Sequence, residues 1–82
     1  MYEILTLSAL PIGERAYITH IHAQPDMELR FTDLGIIPGT KVTCLIQSPA
    51  GDPRGYLIRG ATIALRKADA DGISVLREGD PA

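Results

Sequence analysis

Residues 30–40 read Arg30-Phe31-Thr32-Asp33-Leu34-Gly35-Ile36-Ile37-Pro38-Gly39-Thr40, and they predict a helix end that is followed at once by a tight turn. Gly35 occupies the position at which a left-handed glycine commonly caps a helix. Pro38 and Gly39 stand at the two central positions of a type II turn, where proline and glycine are favoured. The segment therefore predicts that the chain leaves a helix, turns sharply and enters a strand.

The helix before this turn is predicted to run from Pro25 to Leu34. Proline is common in the first turn of a helix, because its missing N–H would have no partner there in any case. At 100° per residue, three side chains fall on one stripe: Met27, Phe31 and Leu34. We expect this stripe to pack on the small β-barrel that the rest of the sequence predicts. Leu29 falls on the opposite side, so it is expected to face solvent or a partner.

The remaining sequence consists of short apolar segments separated by Pro and Gly, which is typical of short strands joined by turns. Five strands are predicted, at Arg15–His22, Thr40–Gln47, Arg54–Arg59, Ala61–Arg66 and Ile73–Leu76, with single helical turns at Leu7–Leu10 and Lys67–Ala70. Alternation puts Val42, Cys44 and Ile46 on one strand face, and Gly60 is expected to mark a bend or bulge. The fold class is therefore mainly β: a small barrel of about five strands with one inserted short helix, in a single domain over residues 1–82 with its core at about 7–76.

The charges of the sequence are balanced. The formal net charge is -2, and the eight Lys and Arg residues are interspersed among ten carboxylates, so binding of nucleic acid is not expected. The N-terminal residues lack the pattern of a secretory signal, and no apolar run approaches the ~20 residues that span a bilayer. We therefore expect a cytoplasmic protein that does not insert into a membrane. Its single cysteine, Cys44, is interpreted as a small buried apolar residue.

The sequence offers no motif for catalysis or for a cofactor. It lacks a Gly-x-x-x-x-Gly-Lys-Ser/Thr loop, so GTP binding is not expected. His20 and His22 could supply two metal ligands from one strand, but no second cluster offers the rest of a closed site, and a solvated pair is the preferred interpretation. Asp69-x-Asp71-Gly72 begins like a calcium loop yet lacks the glycine and glutamate that must follow. We predict no enzyme activity, no cofactor and no metal site.

Four segments, taken in order, resemble the FeoA family. The run from Arg30 to Thr40 is similar to that family's Arg-Leu-x-Asp-Leu-Gly-hydrophobic-x-Pro-Gly segment, with Phe31 where leucine is commoner. The other segments are Gly51-Asp52-Pro53, Tyr56-Leu57-Ile58-Arg59-Gly60, and Ile63-Ala64-Leu65-Arg66 with Ile73-Ser74-Val75. The resemblance extends over about residues 7–76.

This resemblance implies an SH3-like barrel that acts as an accessory protein in bacterial ferrous iron transport, beside the membrane GTPase and transporter FeoB. The same barrel resembles the C-terminal domain of iron-dependent repressors. A free-standing, peptide-binding regulatory module is therefore the alternative function. Self-association through barrel edges is also left open.

The predicted partner-binding surface lies at the helix end. Exposed apolar patches mark interaction sites, and the consecutive Ile36 and Ile37 are hard to bury together after a sharp turn. The predicted surface comprises Leu29, Arg30, Ile36, Ile37, Pro38 and Gly39, with Arg30 suited to an acidic partner. The alternative, that Ile36 and Ile37 cover the end of the barrel, stays open. A structural role is instead expected for Met27, Phe31, Leu34, Gly35 and Gly60.

Overall fold

The computed structural model describes residues 2–78. Its strands are β1 (Tyr2–Thr6), β2 (Arg15–Ile21), β3 (Lys41–Gln47), β4 (Arg54–Ile58), β5 (Ala61–Leu65) and β6 (Ile73–Glu78). The helices are α1 (Pro25–Asp33) and α2 (Lys67–Ala70), and Leu7–Ala9 form a 3₁₀ turn. All six strands join one antiparallel sheet in the order β1-β6-β2-β3-β4-β5. The mainly β, small-barrel fold is thus confirmed, although the sheet is not closed and β1 and β5 form its two edges.

Strand β1 was not among the five predicted strands. It pairs with β6 along its whole length, from Tyr2 opposite Glu78 to Thr6 opposite Ser74. This pairing extends the last strand beyond its predicted end at Leu76. The two strands lie at opposite ends of the sequence, so the partner that holds β1 in place is not visible in the local pattern.

The core is apolar and is built mostly from aliphatic side chains. Its fully or almost fully buried members are Leu7, Leu10, Ala16, Ile18, Phe31, Ile36, Val42, Cys44, Tyr56, Ile58, Leu65, Ala70, Ile73 and Val75. The largest of them, Tyr56, donates its hydroxyl to the Leu7 carbonyl oxygen at 3.4 Å. This bond joins β4 to the 3₁₀ turn, so the turn covers the interior of the barrel.

A β-bulge in each of two strands interrupts the predicted alternation. In β3 the register shifts between Cys44 and Ile46, and the Ile46 side chain is 62% exposed while Val42 and Cys44 are buried. The expectation that all three share one face was therefore wrong, because a bulge adds a residue and rotates the rest of the strand. A second bulge lies in β2 between Ile18 and His20, and His20 is exposed beyond it.

The β4–β5 hairpin turns through Arg59 and Gly60, which both have positive φ angles, of 51° and 82°. Residues Ile58 and Ala61 pair directly across the turn. Two consecutive left-handed residues are the mark of a tight type I′ hairpin, which matches the twist of the flanking strands. Gly60 therefore completes a two-residue turn rather than a bend or bulge.

Charged side chains fasten the barrel at two places. The Asp71 carboxylate accepts hydrogen bonds from the Ser8 hydroxyl and from Lys67 Nζ, the latter at 2.9 Å. Both bonds lower the pKa of Asp71, and the bond from Ser8 has the larger effect. Elsewhere Arg77 on β6 pairs with Glu3 and with Glu14, at 2.7 Å for Glu14. These contacts tie α2 to the 3₁₀ turn and β6 to the chain segments beside it.

Cys44 is fully buried on β3, opposite Tyr56 on β4. Burial raises the pKa of the Cys44 thiol, and the Arg54 guanidinium opposes this effect only in part. Because the thiolate is the reactive form, we expect iodoacetamide at pH 8 to label the folded chain at least about ten-fold more slowly than the chain in urea. Mass spectrometry of timed samples measures both rates, and equal rates would show that the thiol is accessible.

No helix within residues 2–78 is long and apolar enough to cross a membrane.

Candidate interaction surface

The end of α1 is closed by a Schellman motif centred on Gly35. Gly35 has a φ of 84°, and its N–H donates to the Thr32 carbonyl oxygen at 3.0 Å. The Ile36 N–H donates to the Phe31 carbonyl oxygen at 2.8 Å. These two bonds satisfy carbonyl groups that the last helical turn would otherwise leave without partners. The predicted left-handed cap at Gly35 is therefore present.

The same motif explains where Ile36 points. In a Schellman motif the second residue after the helix cap packs against the third helical residue from the end, which here means Ile36 against Phe31. Both side chains are buried. Ile36 was expected on the partner-binding surface, and this expectation was wrong. The signal that could have placed it correctly is the glycine just before it in the sequence.

The side chains of α1 divide into a buried and an exposed set. Phe31 is 2% exposed, and Met27 is half-buried against the core. Leu34, predicted on the same stripe, is 42% exposed. It is the C-cap residue, and its N–H still donates to the Arg30 carbonyl oxygen at 3.1 Å, so it lies at the very end of the helical stripe. Leu29, on the other side of the helix, is 64% exposed.

Five of the six predicted partner-binding residues remain available on the surface. They are Leu29, Arg30, Pro38 and Gly39, which are exposed, and Ile37, which is half-buried. We call these five residues the helix–turn surface. The turn itself is rigidly held, because the Gly39 N–H donates to the Ile18 carbonyl oxygen at 2.7 Å and the Thr40 N–H to that of Ile37 at 3.1 Å. The φ of 92° at Gly39 agrees with the predicted type II turn.

Arg59 borders the helix–turn surface and was not singled out from the sequence. Its aliphatic stem lies over Gly35, where a Cβ atom would collide with Arg59 Cδ. Gly35 is therefore needed for its left-handed backbone, and it also leaves room for the stem of Arg59. A cleft of about 350 Å³ lies beside Arg59, between the start of β3 and the β4–β5 turn. Lys41 and Arg59 line it together with Thr40, Thr43, Leu57 and Gly60, and no carboxylate does.

A larger cleft of about 670 Å³ lies between α1, the segment before it and α2. Its apolar residues include Ile21, Met27 and Phe31, and its polar residues include His22, Glu28 and Asp69. Within residues 2–78, no group of three or more His, Cys, Asp and Glu side chains is placed to hold a metal ion. His20 and His22 are both exposed.

The chain is similar to known proteins over nearly its whole length. The family model described as the FeoA domain matches residues 5–77. No curated protein matches the chain significantly. Among solved structures, the FeoA protein of Chlorobium tepidum is 35% identical with a TM-score of 0.86, over 92% of this chain and 71% of that one.

Two further structures are similar. FeoA of Stenotrophomonas maltophilia, solved with zinc and described as a prokaryotic SH3 domain protein, is 28% identical with a TM-score of 0.72, over 87% of this chain and 88% of that one. A manganese-dependent transcriptional repressor, 23% identical, shares the fold with a TM-score of 0.83, and the match covers 95% of this chain but 44% of the repressor. Because the family model matches most of its length, the chain belongs to the FeoA family.

Proposed function

We propose that this chain is a cytoplasmic, non-catalytic accessory protein of bacterial ferrous iron uptake, and that it binds a FeoB-like membrane GTPase from the cytosolic side. The observation that carries the proposal is the FeoA family match over residues 5–77. The similar protein of Stenotrophomonas maltophilia has been put forward as a ferrous iron transport activating factor, which supports the same pathway.

The proposal assigns the chemistry to the partner and a binding surface to this chain. The sequence lacks a phosphate-binding loop, so GTP binding and hydrolysis belong to the transporter. This chain contributes an exposed surface, with an apolar side chain and an arginine, that can recognise the partner.

The helix–turn surface is the part of the chain that we assign to the partner. Leu29 supplies an apolar side chain that is 64% exposed, and Arg30 beside it supplies a positive charge. An apolar anchor beside an arginine is a common composition of the energetically important part of an interface. The bonds that hold Gly39 and Thr40 keep this surface in one shape, so little ordering entropy opposes binding.

Replacing Leu29 by aspartate tests this assignment. We expect Leu29→Asp to change the free energy of unfolding by no more than about 0.5 kcal/mol, because the side chain is exposed. Capture of the detergent-solubilised GTPase by the tagged chain should fall at least about ten-fold, because a carboxylate would be buried in an apolar contact. Quantitative immunoblotting of the captured GTPase measures the loss.

Ile12→Asp is the matched control, because Ile12 is also an exposed isolated apolar residue but lies in the connection before β2. It should leave capture unchanged. Equal capture by the Leu29→Asp chain and the unaltered chain would remove the helix–turn surface from the proposal. Failure of the unaltered chain to capture the GTPase at all would remove the transporter as the partner.

A second candidate is a free-standing peptide-binding regulatory module. The observation that favours it is the shared fold with the manganese-dependent transcriptional repressor, of which this chain matches less than half. The two candidates differ in their partner. The first requires a membrane GTPase, whereas the second requires only an unstructured segment of another protein.

A further inference from the structure

Strand β5 is an edge strand that lacks the usual protection against pairing. It lies at the end of the sheet, with β4 as its one neighbour. Its residues, Ala61-Thr62-Ile63-Ala64-Leu65, include no charged side chain and no proline. Natural proteins normally protect an edge with charges, proline or a covering segment, because its free backbone groups can pair with another strand.

The register of the hairpin identifies which backbone groups are free. Across a two-residue turn the flanking residues form a hydrogen-bonded pair, and such pairs then alternate along the ladder. Because Ile58 pairs with Ala61 next to the turn, Thr62 and Ala64 occupy the positions that do not bond to β4. Their N–H and C=O groups therefore point away from the sheet. Both residues are exposed, and no other backbone bond within residues 2–78 engages them.

The sheet face beside this edge carries apolar and threonine residues and no charged side chain in its two central rows. Leu57, 38% exposed, lies in register between Thr43 and Thr62. The next row contains Ile46, Gly55 and Ala64, and Ile46 Cγ1 lies over Gly55, 2.9 Å from where a Cβ would be. A strand added to β5 would therefore find apolar surface for alternate side chains, which is how added strands gain specificity.

Positive charges lie at both ends of the edge. Lys41 and Arg59 line the 350 Å³ cleft at the end where the hairpin turns. Arg66, which is exposed, follows Leu65 at the other end. In the described part of the chain, Arg59 and Arg66 make no ion pair. The edge thus offers apolar contact in its middle and a cation at each end. One carboxylate, that of Asp52, lies near the Arg66 end, where it accepts a hydrogen bond of 2.8 Å from the Lys67 N–H.

The positive charges at the ends of β5 indicate which kind of strand can pair with its free edge. A second copy paired antiparallel about Ile63 would bring its own Arg66 toward Gly60 and Arg59, and like charges placed together oppose association. An extended segment with carboxylates at its ends would instead complement them. We propose that the free edge of β5 is a strand-addition site for an extended peptide with a β-branched or apolar centre and acidic ends. The site lies on other residues than the helix–turn surface, and the proposal holds whether or not the proposed function is correct.

The test uses a blocked synthetic peptide, Asp-Glu-Val-Thr-Val-Thr-Val-Glu-Asp, and a matched peptide with lysine at the four acidic positions. Each is titrated into the ¹⁵N-labelled full chain. We expect the acidic peptide to shift the amide resonances of Thr62 and Ala64 and to slow their exchange with solvent. It should bind at least about ten-fold more tightly than the lysine peptide. Equal binding of both peptides, no binding, or shifts confined to other elements would overturn the proposal.

Two variants separate strand addition from general attraction. Ala64→Pro removes one outward N–H but no bond to β4, so the fold should persist and affinity should fall about ten-fold. Ala64→Thr keeps the N–H and should bind within about two-fold of the unaltered chain. Melting curves confirm that both variants fold. An affinity that Ala64→Pro leaves unchanged, or sedimentation that shows a second copy on this edge, contradicts the assignment.

Discussion

Replacing Phe31 by alanine is expected to lower the free energy of unfolding by about 3–5 kcal/mol, the range measured for loss of a buried aromatic ring. Phe31 is the one fully buried residue of α1, since Met27 is half-buried and Leu34 is exposed. Ile36 is buried in the same apolar core as the ring, so loss of the ring should loosen both the helix and the turn after it. Native domains are stable by only about 5–15 kcal/mol, so this loss would be a large share of the total stability.

Urea unfolding followed by circular dichroism measures this loss. Leu29→Ala is the matched control on the same helix, because its side chain is 64% exposed and its removal should change stability by about 0.5 kcal/mol or less. Phe31→Leu should lose much less than Phe31→Ala, because leucine restores most of the apolar volume. A loss below about 1 kcal/mol for Phe31→Ala would mean that α1 is not fastened by this ring.

The features that local sequence predicts correctly are those whose cause is local. The cap at Gly35, the turn at Gly39 and the helix between Pro25 and Asp33 depend on residues within a few positions of one another. Each of them was predicted, because glycine and proline restrict or release the backbone at the place where they stand.

The features that were mispredicted depend on partners far along the chain or on a shift of register. Strand β1 exists through its pairing with β6. Ile46 faces outward because of a bulge, which no alternating pattern can reveal. Leu29 of the helix–turn surface was correctly expected to be exposed. Lys41 on β3 and Arg59 in the β4–β5 turn line one cleft only after β3 has paired with β4. That these two residues line the same cleft could not be predicted from their separation in the sequence.

Ile36 is a different kind of error, because the information was present in the local sequence. A glycine cap commonly forms a Schellman motif, and that motif frequently places the residue after the glycine in apolar contact with the last helical turn. The buried Ile36 therefore belongs with the fold, and the proposed partner-binding surface is reduced to the five residues of the helix–turn surface. The Schellman motif also explains how two consecutive isoleucines are accommodated, because it buries Ile36 and leaves Ile37 half-buried.

After Phe31→Ala, the largest loss of stability is expected from adding a single methyl group at Gly72. Gly72 joins α2 to β6, and its carbonyl oxygen accepts a hydrogen bond of 2.7 Å from the His22 N–H. A Cβ atom at Gly72 would collide with the His22 carbonyl oxygen. That oxygen belongs to the backbone, so it cannot rotate away as the Arg59 side chain could at Gly35.

We expect Gly72→Ala to lower the free energy of unfolding by about 2–3 kcal/mol, within the range observed when a well-packed site is overfilled. The backbone of Gly72 does not have a positive φ, so strain of a left-handed alanine does not contribute. Gly13→Ala provides the contrast, because Gly13 has a φ of 89° and open space around it. That variant should lose only about 1–2 kcal/mol, the cost of placing a side chain in the left-handed region.

Amide exchange distinguishes the two causes. In Gly72→Ala the His22 amide should exchange faster than in the unaltered chain, even after the difference in global stability has been subtracted. The reason is that the collision opens the His22–Gly72 contact locally. In Gly13→Ala the His22 amide should keep its protection relative to the other strands. If Gly72→Ala matched the unaltered chain in both stability and His22 exchange, the close approach of these two backbone segments would not be a constraint on the fold.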